Sequence, residues 1–373
     1  MQDIGLYIHI PFCLQKCAYC DFLSFGDRSQ KDVYIKALLK ELSSLQKLCL
    51  NKTVSTVYIG GGTPTVLDTE DLEEILKAVR TFPLTSDAEI TVEANPETVT
   101  LPKMRALKKG GVNRISLGVQ AMCDRTLQNI NRPHNVLKVL ESYAALTIAG
   151  FTNISYDLIF NLPNQSKAEF LTGLELLLKL NPNHISLYSL QLEEGTPLYE
   201  KQSDFSFLSE EQERETYHEA RAVLEKHGLY QYETSNFAKI GFKSRHNNRY
   251  WECEEYLGAG LGASSYFNNV RYQNPSDFED YFAHCNDFSP LHENGTPLTD
   301  SKRQSEFFML GLRKTEGVSL FEFELKFGIS AEQLFGESIN KHIQNGLLTK
   351  QDKTLKLTEK GIDLANQVLQ DFL

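Results

Sequence analysis

The sequence predicts an α/β fold in which six consecutive strand–helix units build a parallel sheet, followed by a small helical domain. Three observations carry this: six short apolar, β-rich runs recur through the first half, stretches of helical period separate them, and the tail returns to helices around two short strands. At 373 residues the chain has the length of two or three ordinary domains.

The six runs are Gly5–Ile10, Thr56–Ile59, Glu89–Glu93, Arg114–Val119, Asn153–Ile159 and His184–Leu190. In Leu67–Phe82, Leu72, Ile75, Leu76 and Val79 occupy the i, i+3, i+4, i+7 positions of one helix face, and Asp68 or Thr69 can cap its start. The closing helix of the series is the clearest. Ser209 and Gln212 have capping-box spacing, Tyr217, Ala220 and Leu224 mark the apolar stripe, and Gly228 supplies a stop. Six such units over residues 1–228 predict parallel pairing, with the sheet curled as a partial barrel or left open and doubly wound.

Residues 229–298 are aromatic, Gly- and Asn-rich, with short regular pieces, and are expected to pack on the first domain. Residues 299–373 restore helices at Lys302–Leu312, Leu320–Phe327 and Ala331–Asn345. Two short runs, Leu347–Thr349 and Thr354–Leu357, then flank a polar turn, which is the order of a winged helix. Ten basic against eleven acidic residues from Asp300 onward argue against the DNA-binding use of that module.

The whole chain carries 38 Lys and Arg against 49 Asp and Glu, a net charge of −11, so the basic footprint that releases phosphate counterions is missing and no nucleic-acid partner is expected. The start, Met-Gln-Asp-Ile-Gly-Leu, has no basic region, and the apolar stretch after it is interrupted by His9 and ends at Pro11, unlike a signal peptide. No run approaches the ~18 apolar residues of a membrane helix. A cytoplasmic protein without a transmembrane segment is therefore expected, and peripheral membrane attachment through a local basic patch stays compatible with the acidity. Seven cysteines, an odd number, make a poor disulfide framework there. Cys49, Cys123, Cys253 and Cys285 are scattered, whereas Cys13, Cys17 and Cys20 fall within eight residues.

That triplet, Cys13-Leu-Gln-Lys-Cys17-Ala-Tyr-Cys20, follows the first strand directly. A structural zinc site needs a fourth ligand. None is at hand: His9 lies in the strand and position 22 is Phe22. Three thiolates suit a four-iron cluster with one iron left open to an exchangeable ligand. In parallel βα folds function gathers at the C-terminal ends of strands. Here those ends carry the triplet, then Gly60-Gly61-Gly62-Thr63-Pro64, Glu93, Gln120 and Gln191, with Asp157 within the fifth strand. Singly these would be turns, caps or satisfied core residues. On one rim they predict a pocket for a polar ligand, with glycines where its backbone approaches closely.

Tyr7-Ile-His9-Ile-Pro11-Phe-Cys13, the C-x3-C-x2-C triplet and Gly-Gly-Gly-Thr-Pro together resemble the radical S-adenosylmethionine (SAM) superfamily. More narrowly they resemble its branch of oxygen-independent coproporphyrinogen III oxidases (HemN) and their HemW relatives, over essentially the whole chain. The resemblance implies a partial (β/α)6 TIM-like barrel with a winged-helix-like C-terminal domain. It also implies a [4Fe–4S] cluster on Cys13, Cys17 and Cys20, with SAM chelated at the open iron. Carried over by position, Tyr7, Tyr19, Gly61, Gly62, Thr63, Glu93, Gln120, Arg132 and Asp157 contact one or two SAM molecules. Carboxylates can pair with an ammonium or bridge a ribose diol, and Arg132 can meet a carboxylate.

Within this branch the oxidase pattern continues C-x3-C-x2-C-x-C after a long N-terminal extension, whereas here Phe22 stands at the last position and the first strand begins almost at Met1. Both features resemble the HemW group, similar to haem chaperones that bind haem and pass it to an acceptor protein. A tetrapyrrole decarboxylase is the alternative. Arg245-His246-Asn247-Asn248-Arg249-Tyr250-Trp251 resembles the H-N-x-x-Y-W signature of that group. His246 can ligate iron through a neutral imidazole, with Cys253 as a second choice, while Tyr250 and Trp251 offer flat apolar surface. Lys243, Arg245 and Arg249 can meet two propionates. The plain alternative is an Asn-Asn turn with an ordinary surface histidine. Gly258-Ala-Gly260-Leu-Gly262-Ala263 formally fits G-x-G-x-x-A, but the acidic, poorly alternating Trp251–Tyr256 before it predicts close backbone packing or a pocket wall rather than a dinucleotide site.

Overall fold

The computed structural model describes residues 3–49, 51–284 and 294–373; Cys285 lies outside them. Strands β1 (Asp3–Ile10), β2 (Thr53–Gly61), β3 (Leu84–Ala94), β4 (Arg114–Gln120), β5 (Asn153–Phe160) and β6 (His184–Ser189) pair in parallel, each with the next in sequence. A doubly wound sheet would reverse its strand order partway. The unbroken order is that of a partial (β/α)6 barrel. Residues 229–298 do not merely pack on this sheet but continue it at both edges. β7 (Tyr230–Gln231) and β8 (Asn236–Ala238) add antiparallel to β6. β9 (Tyr256–Ala259) pairs in parallel with β1, and antiparallel β10 (Ser264–Phe267), β11 (Val270–Gln273) and β12 (Thr296–Pro297) follow.

Helices α1 (Lys31–Leu48), α2 (Thr69–Val79), α3 (Leu101–Lys109), α4 (Asp124–Asn129), α5 (Val136–Ile148), α6 (Lys167–Leu178), α7 (Pro197–Glu200) and α8 (Glu210–Lys226) accompany the strands. Leu72, Ile75, Leu76 and Val79 of α2 join Ile115, Leu117 and Val119 of β4 in one apolar core, as their periods require. Ser209 and Gln212 form the full capping box of α8. Asp68 is a correction. It holds the N-cap position of α2, but its side chain makes no cap bond, because its carboxylate accepts from Lys31 Nζ at 2.6 Å and ties α2 to α1. The last segment has its own core around Phe308, Phe323 and Phe372. Its helices Asp300–Gly311, Leu320–Phe327 and Ala331–Gln344 and the antiparallel strands β13 (Val318–Ser319), β14 (Leu348–Gln351) and β15 (Thr354–Leu357) have winged-helix order.

The lumen side of the strands is polar. Tyr58, Glu93, Arg114, Ser116, Gln120, Asp157, Ser186 and Tyr188 alternate with core residues and face one cavity. TIM barrels normally fill this space with branched apolar side chains. Here a seven-residue helix, α9 (Arg245–Trp251), closes the lower mouth instead. Ser244 caps it, and Glu89 accepts from the backbone N–H groups of Arg245 (3.3 Å) and His246 (3.1 Å), placing a carboxylate at the helix N-terminus. Arg249 donates to Asp3 (2.6 Å), Thr56 (3.1 Å) and Ser55.

The structure places His246, expected as a haem ligand, inside this plug. The imidazole is fully buried, with Nδ1 bonded to Thr56 Oγ1 and Nε2 to the Tyr250 hydroxyl, each at 2.9 Å. Burial, with the Arg249 charge, pushes its pKa down to about 3. Both ring nitrogens are therefore committed inside the protein. The Tyr250 ring stands edge-on to Tyr256, and Trp251 lies under the Arg313 guanidinium at 5.6 Å. Lys243, Arg245 and Arg249 pair with Glu316, Asp87 and Asp3. Cys253 follows in a left-handed turn (φ 51°), and burial raises its thiol to about 11. The motif is polar because it plugs a polar barrel. The glycine run after it packs closely as expected: Gly260 N–H donates to buried Glu41 at 2.7 Å, and a Cβ on Gly258 would collide with the Ser264 carbonyl.

His246→Ala removes the ring partner of the Tyr250 hydroxyl, leaves the Thr56 hydroxyl only its bond from Arg249, and opens a void between them. It is expected to cost about 3 kcal/mol in unfolding free energy by chemical denaturation. A loss below about 0.5 kcal/mol, the usual size for a surface change, contradicts the plug role.

Candidate functional site

The cysteine loop leaves β1 at Ile10 and is pinned at its base. Cys13 N–H donates to Phe25 C=O (2.9 Å) and Phe25 N–H to Pro11 C=O (2.8 Å). His9 fastens the loop a second time. Its Nε2 faces the Leu23 carbonyl at 2.9 Å, which can only accept, so Nε2 carries the proton and Nδ1 accepts from the Tyr7 hydroxyl at 3.0 Å. Burial lowers the His9 pKa, in keeping with that neutral tautomer. From the other side, Ala18 N–H donates to the Ile130 carbonyl at 3.1 Å. A short loop held at both ends and its middle presents its side chains in a fixed arrangement.

All three thiols of the triplet line one cavity of about 460 Å³. Cys13 and Cys17 are buried and Cys20 is partly so. Thr63 Oγ1 donates to Cys13 Sγ at 3.6 Å and itself accepts from Asn95 Nδ2 at 2.9 Å, an outer relay of the kind that tunes a ligating sulfur. Burial pushes the Cys13 and Cys20 thiols up, so a cation is needed to hold them as thiolates. Among the described residues no three His, Cys, Asp or Glu side chains converge as ligands of one ion. Three soft donors spread along one wall, with no fourth at hand, fit an iron–sulfur cluster better than a closed zinc centre. Phe22 is 64 % exposed at the edge of the same cavity.

Below the loop the cavity is charged. Glu93 accepts from the Tyr58 hydroxyl (2.8 Å) and Gly61 N–H (3.0 Å). Burial raises its pKa to about 7; Asp157 adds to the rise, while the two donors oppose it. Asp157 accepts from Ser116 Oγ at 3.0 and 3.2 Å, and burial raises its pKa as well. Arg132 reaches in from the loop after α4 and donates to the Gly118 carbonyl at 3.2 Å. Gln120 ends β4 in the left-handed region (φ 65°), a conformation uncommon outside glycine that marks a site held by its surroundings. Tyr19, Gly61, Gly62 and Thr63 complete the lining.

The structure thus brings together every predicted cluster and SAM residue except Tyr7, which does not line the cavity and acts on the loop through His9. The glycine run has a further reason beyond ligand access. Gly61 has φ 112°, and a Cβ on Gly62 would lie 2.6 Å from the Phe12 carbonyl. These residues let β2 press against the cysteine loop. Tyr58, Asn95, Arg114, Ser116, Ser186, Tyr188 and Asn247 also line the cavity. Tyr58 lies two residues before Gly60, and Ser116 and Arg114 lie four and six before Gln120, so counting in twos along those strands would have found them.

Glu93 carries a sign for pH dependence. Its folded pKa, about 7, stands above the ordinary 4.5, so its contribution to stability is complete below about 4.5 and is lost as pH rises through about 7. Urea unfolding of Glu93→Gln should show a shallower fall in stability between pH 5 and pH 8 than the parent chain. Parallel curves contradict the assigned burial of the carboxyl.

Comparison with known proteins gives the same site a lineage. The model of the Radical SAM superfamily matches residues 7–177 and that of the HemN C-terminal domain matches residues 298–364. Heme chaperone HemW of Lactococcus lactis subsp. lactis (strain IL1403) is 38% identical over 98% of this chain and 96% of its own. Heme chaperone HemW of Bacillus subtilis (strain 168) is 37% identical over 98% of each, and that of Escherichia coli (strain K12) is 31% identical over 100% and 99%. The solved structure of Escherichia coli coproporphyrinogen III oxidase (HemN), a radical SAM enzyme, superposes with a TM-score of 0.86 at 24% identity, covering 100% of this chain and 90% of that one. This last likeness speaks for the fold. Identity at this level along nearly the whole length places the chain in the HemW family of the radical SAM superfamily.

Proposed function

We propose that this protein is a cytoplasmic haem chaperone that carries a [4Fe–4S] cluster on Cys13, Cys17 and Cys20 and SAM in the barrel cavity, and that delivers haem to an acceptor protein. The observation that carries this reading is three thiols without a fourth, opening on a cavity that holds Glu93, Gln120, Arg132 and Asp157, in a chain similar to haem chaperones from end to end. When bound, the cluster supplies one-electron chemistry with one iron position open to an amino-acid ligand. The chain's own residues bind and orient. Arg132 is placed to meet a carboxylate, and Glu93 and Asp157 to take an ammonium or a ribose diol. The plug helix closes the cavity from below, and the pinned loop borders its open side. Among the described residues no helix is long and apolar enough to cross a membrane.

With His246 committed to the plug, the flat apolar face for haem is assigned to the cysteine loop. Leu14 (46 % exposed) and Phe22 flank the triplet there, the latter also at the cavity edge. The alternative, a coproporphyrinogen-type decarboxylase or another radical SAM enzyme acting on a tetrapyrrole, is favoured by one observation: the SAM pocket retains a full set of polar groups, which a carrier has no need to keep.

The test uses protein reconstituted anaerobically, assayed for haem uptake by absorbance and for coproporphyrinogen III turnover with SAM. Stoichiometric haem binding without decarboxylation is expected, together with haem binding about tenfold weaker in the Leu14→Asp/Phe22→Asp double variant at unchanged cluster content. Robust decarboxylation overturns the chaperone reading. Unaltered haem affinity in the double variant removes the loop from the haem surface.

A further inference from the structure

Arg114, the first residue of β4, points into the lumen and is 2 % exposed. Its Nε has no hydrogen-bond partner among the described residues. A buried guanidinium left short of acceptors is costly, and native proteins rarely keep one without a ligand or ordered water to complete it. The carboxylates within reach of its charge are engaged elsewhere: Glu93 with Tyr58 and Gly61, Asp157 with Ser116. Asn247 of the plug helix lines the same cavity and adds a neutral polar group from below. The floor therefore has a cation with an unmet donor, a neutral polar group from the plug, and open space above.

We propose that Arg114 is the anion-recognising group of a second subsite at the cavity floor, taking the carboxylate of a ligand that enters past the cysteine loop with that group leading. A planar guanidinium fork with a neutral polar neighbour suits a monoanionic carboxylate; a phosphate dianion would call for a second cation. The subsite is separate from the SAM position, and this part rests on the reading that SAM's single carboxylate sits at the open iron beside the cysteine loop. Arg114 opens β4 and Gln120 ends it. Six residues of strand separate them by roughly 20 Å, so a carboxylate at the rim does not reach the floor, and the adenosine end of SAM has no anion to offer.

Acetate is the probe, titrated into anaerobically reconstituted protein with saturation-transfer NMR and the thermal unfolding midpoint as readouts. Phosphate and chloride at matched ionic strength run alongside, and SAM binding is measured separately by equilibrium dialysis. Saturable acetate binding that raises the midpoint is expected in the parent chain, weaker by about tenfold or more in Arg114→Gln and less weakened in Arg114→Lys, which keeps the charge but loses the fork. Should Arg114→Gln fail to fold, Asn247→Asp decides, because its added carboxylate should fill the floor, raise the midpoint on its own and abolish the acetate response. Equal acetate response in the parent and Arg114→Gln, or in the parent and Asn247→Asp, overturns the subsite. Preference for phosphate over acetate overturns the carboxylate assignment. Displacement of acetate by SAM places the anion within the SAM site and overturns the second subsite, while failure of SAM binding with acetate binding intact faults the SAM reading alone.

Discussion

A barrel lined with polar side chains cannot be closed by packing hydrocarbon into it. Each inward group needs a partner, and the rest of this molecule is arranged around that requirement. From below, α9 brings His246 and Arg249 to the hydroxyls of Thr56 and Ser55, while its own N-terminus is met by Glu89. From above, the cysteine loop is tied down by His9, Phe25 and Ile130. Between these two closures the polar groups left over face a cavity rather than each other.

What is left over defines the chemistry. Two carboxyls, Glu93 and Asp157, are buried at a cost that burial makes visible in their raised pKa values. Two guanidiniums, Arg114 and Arg132, share the cavity with them, and each has an Nε without a partner among the described residues. Such a set is poorly satisfied by itself and well suited to a zwitterionic ligand carrying both an ammonium and a carboxylate. The three thiols add a soft-metal face at the same end as Arg132, so a ligand held by its amino-acid group would lie against the metal.

Much of this was written locally in the chain. The six strands could be read because their apolar runs are short and bounded, and the triplet could be read because its spacing is compact. Distant relations were harder. β7 to β12 have only two to four residues each and gain their pairing from the sheet edges they extend, so periodicity could not announce them. Asp68 had the residue type of a cap but found a lysine from another helix first. His246 is the instructive case. A stretch rich in Arg, His and Asn has the composition of an exposed ligand surface, and a polar interior able to absorb it becomes apparent only when alternate residues of β2, β3 and β4 are followed into the lumen. The same alternation identifies Arg114 and Tyr58, which no motif singled out.

The central claim is that the open metal position of the triplet faces a cavity built to hold SAM by its amino-acid group. Electron–nuclear double resonance on the reduced, reconstituted protein, with SAM labelled with ¹³C in its carboxylate and ¹⁵N in its amino group, tests it most directly. The account predicts resolved couplings from both labels to the cluster. A full complement of cluster with SAM bound and neither coupling detected would contradict it.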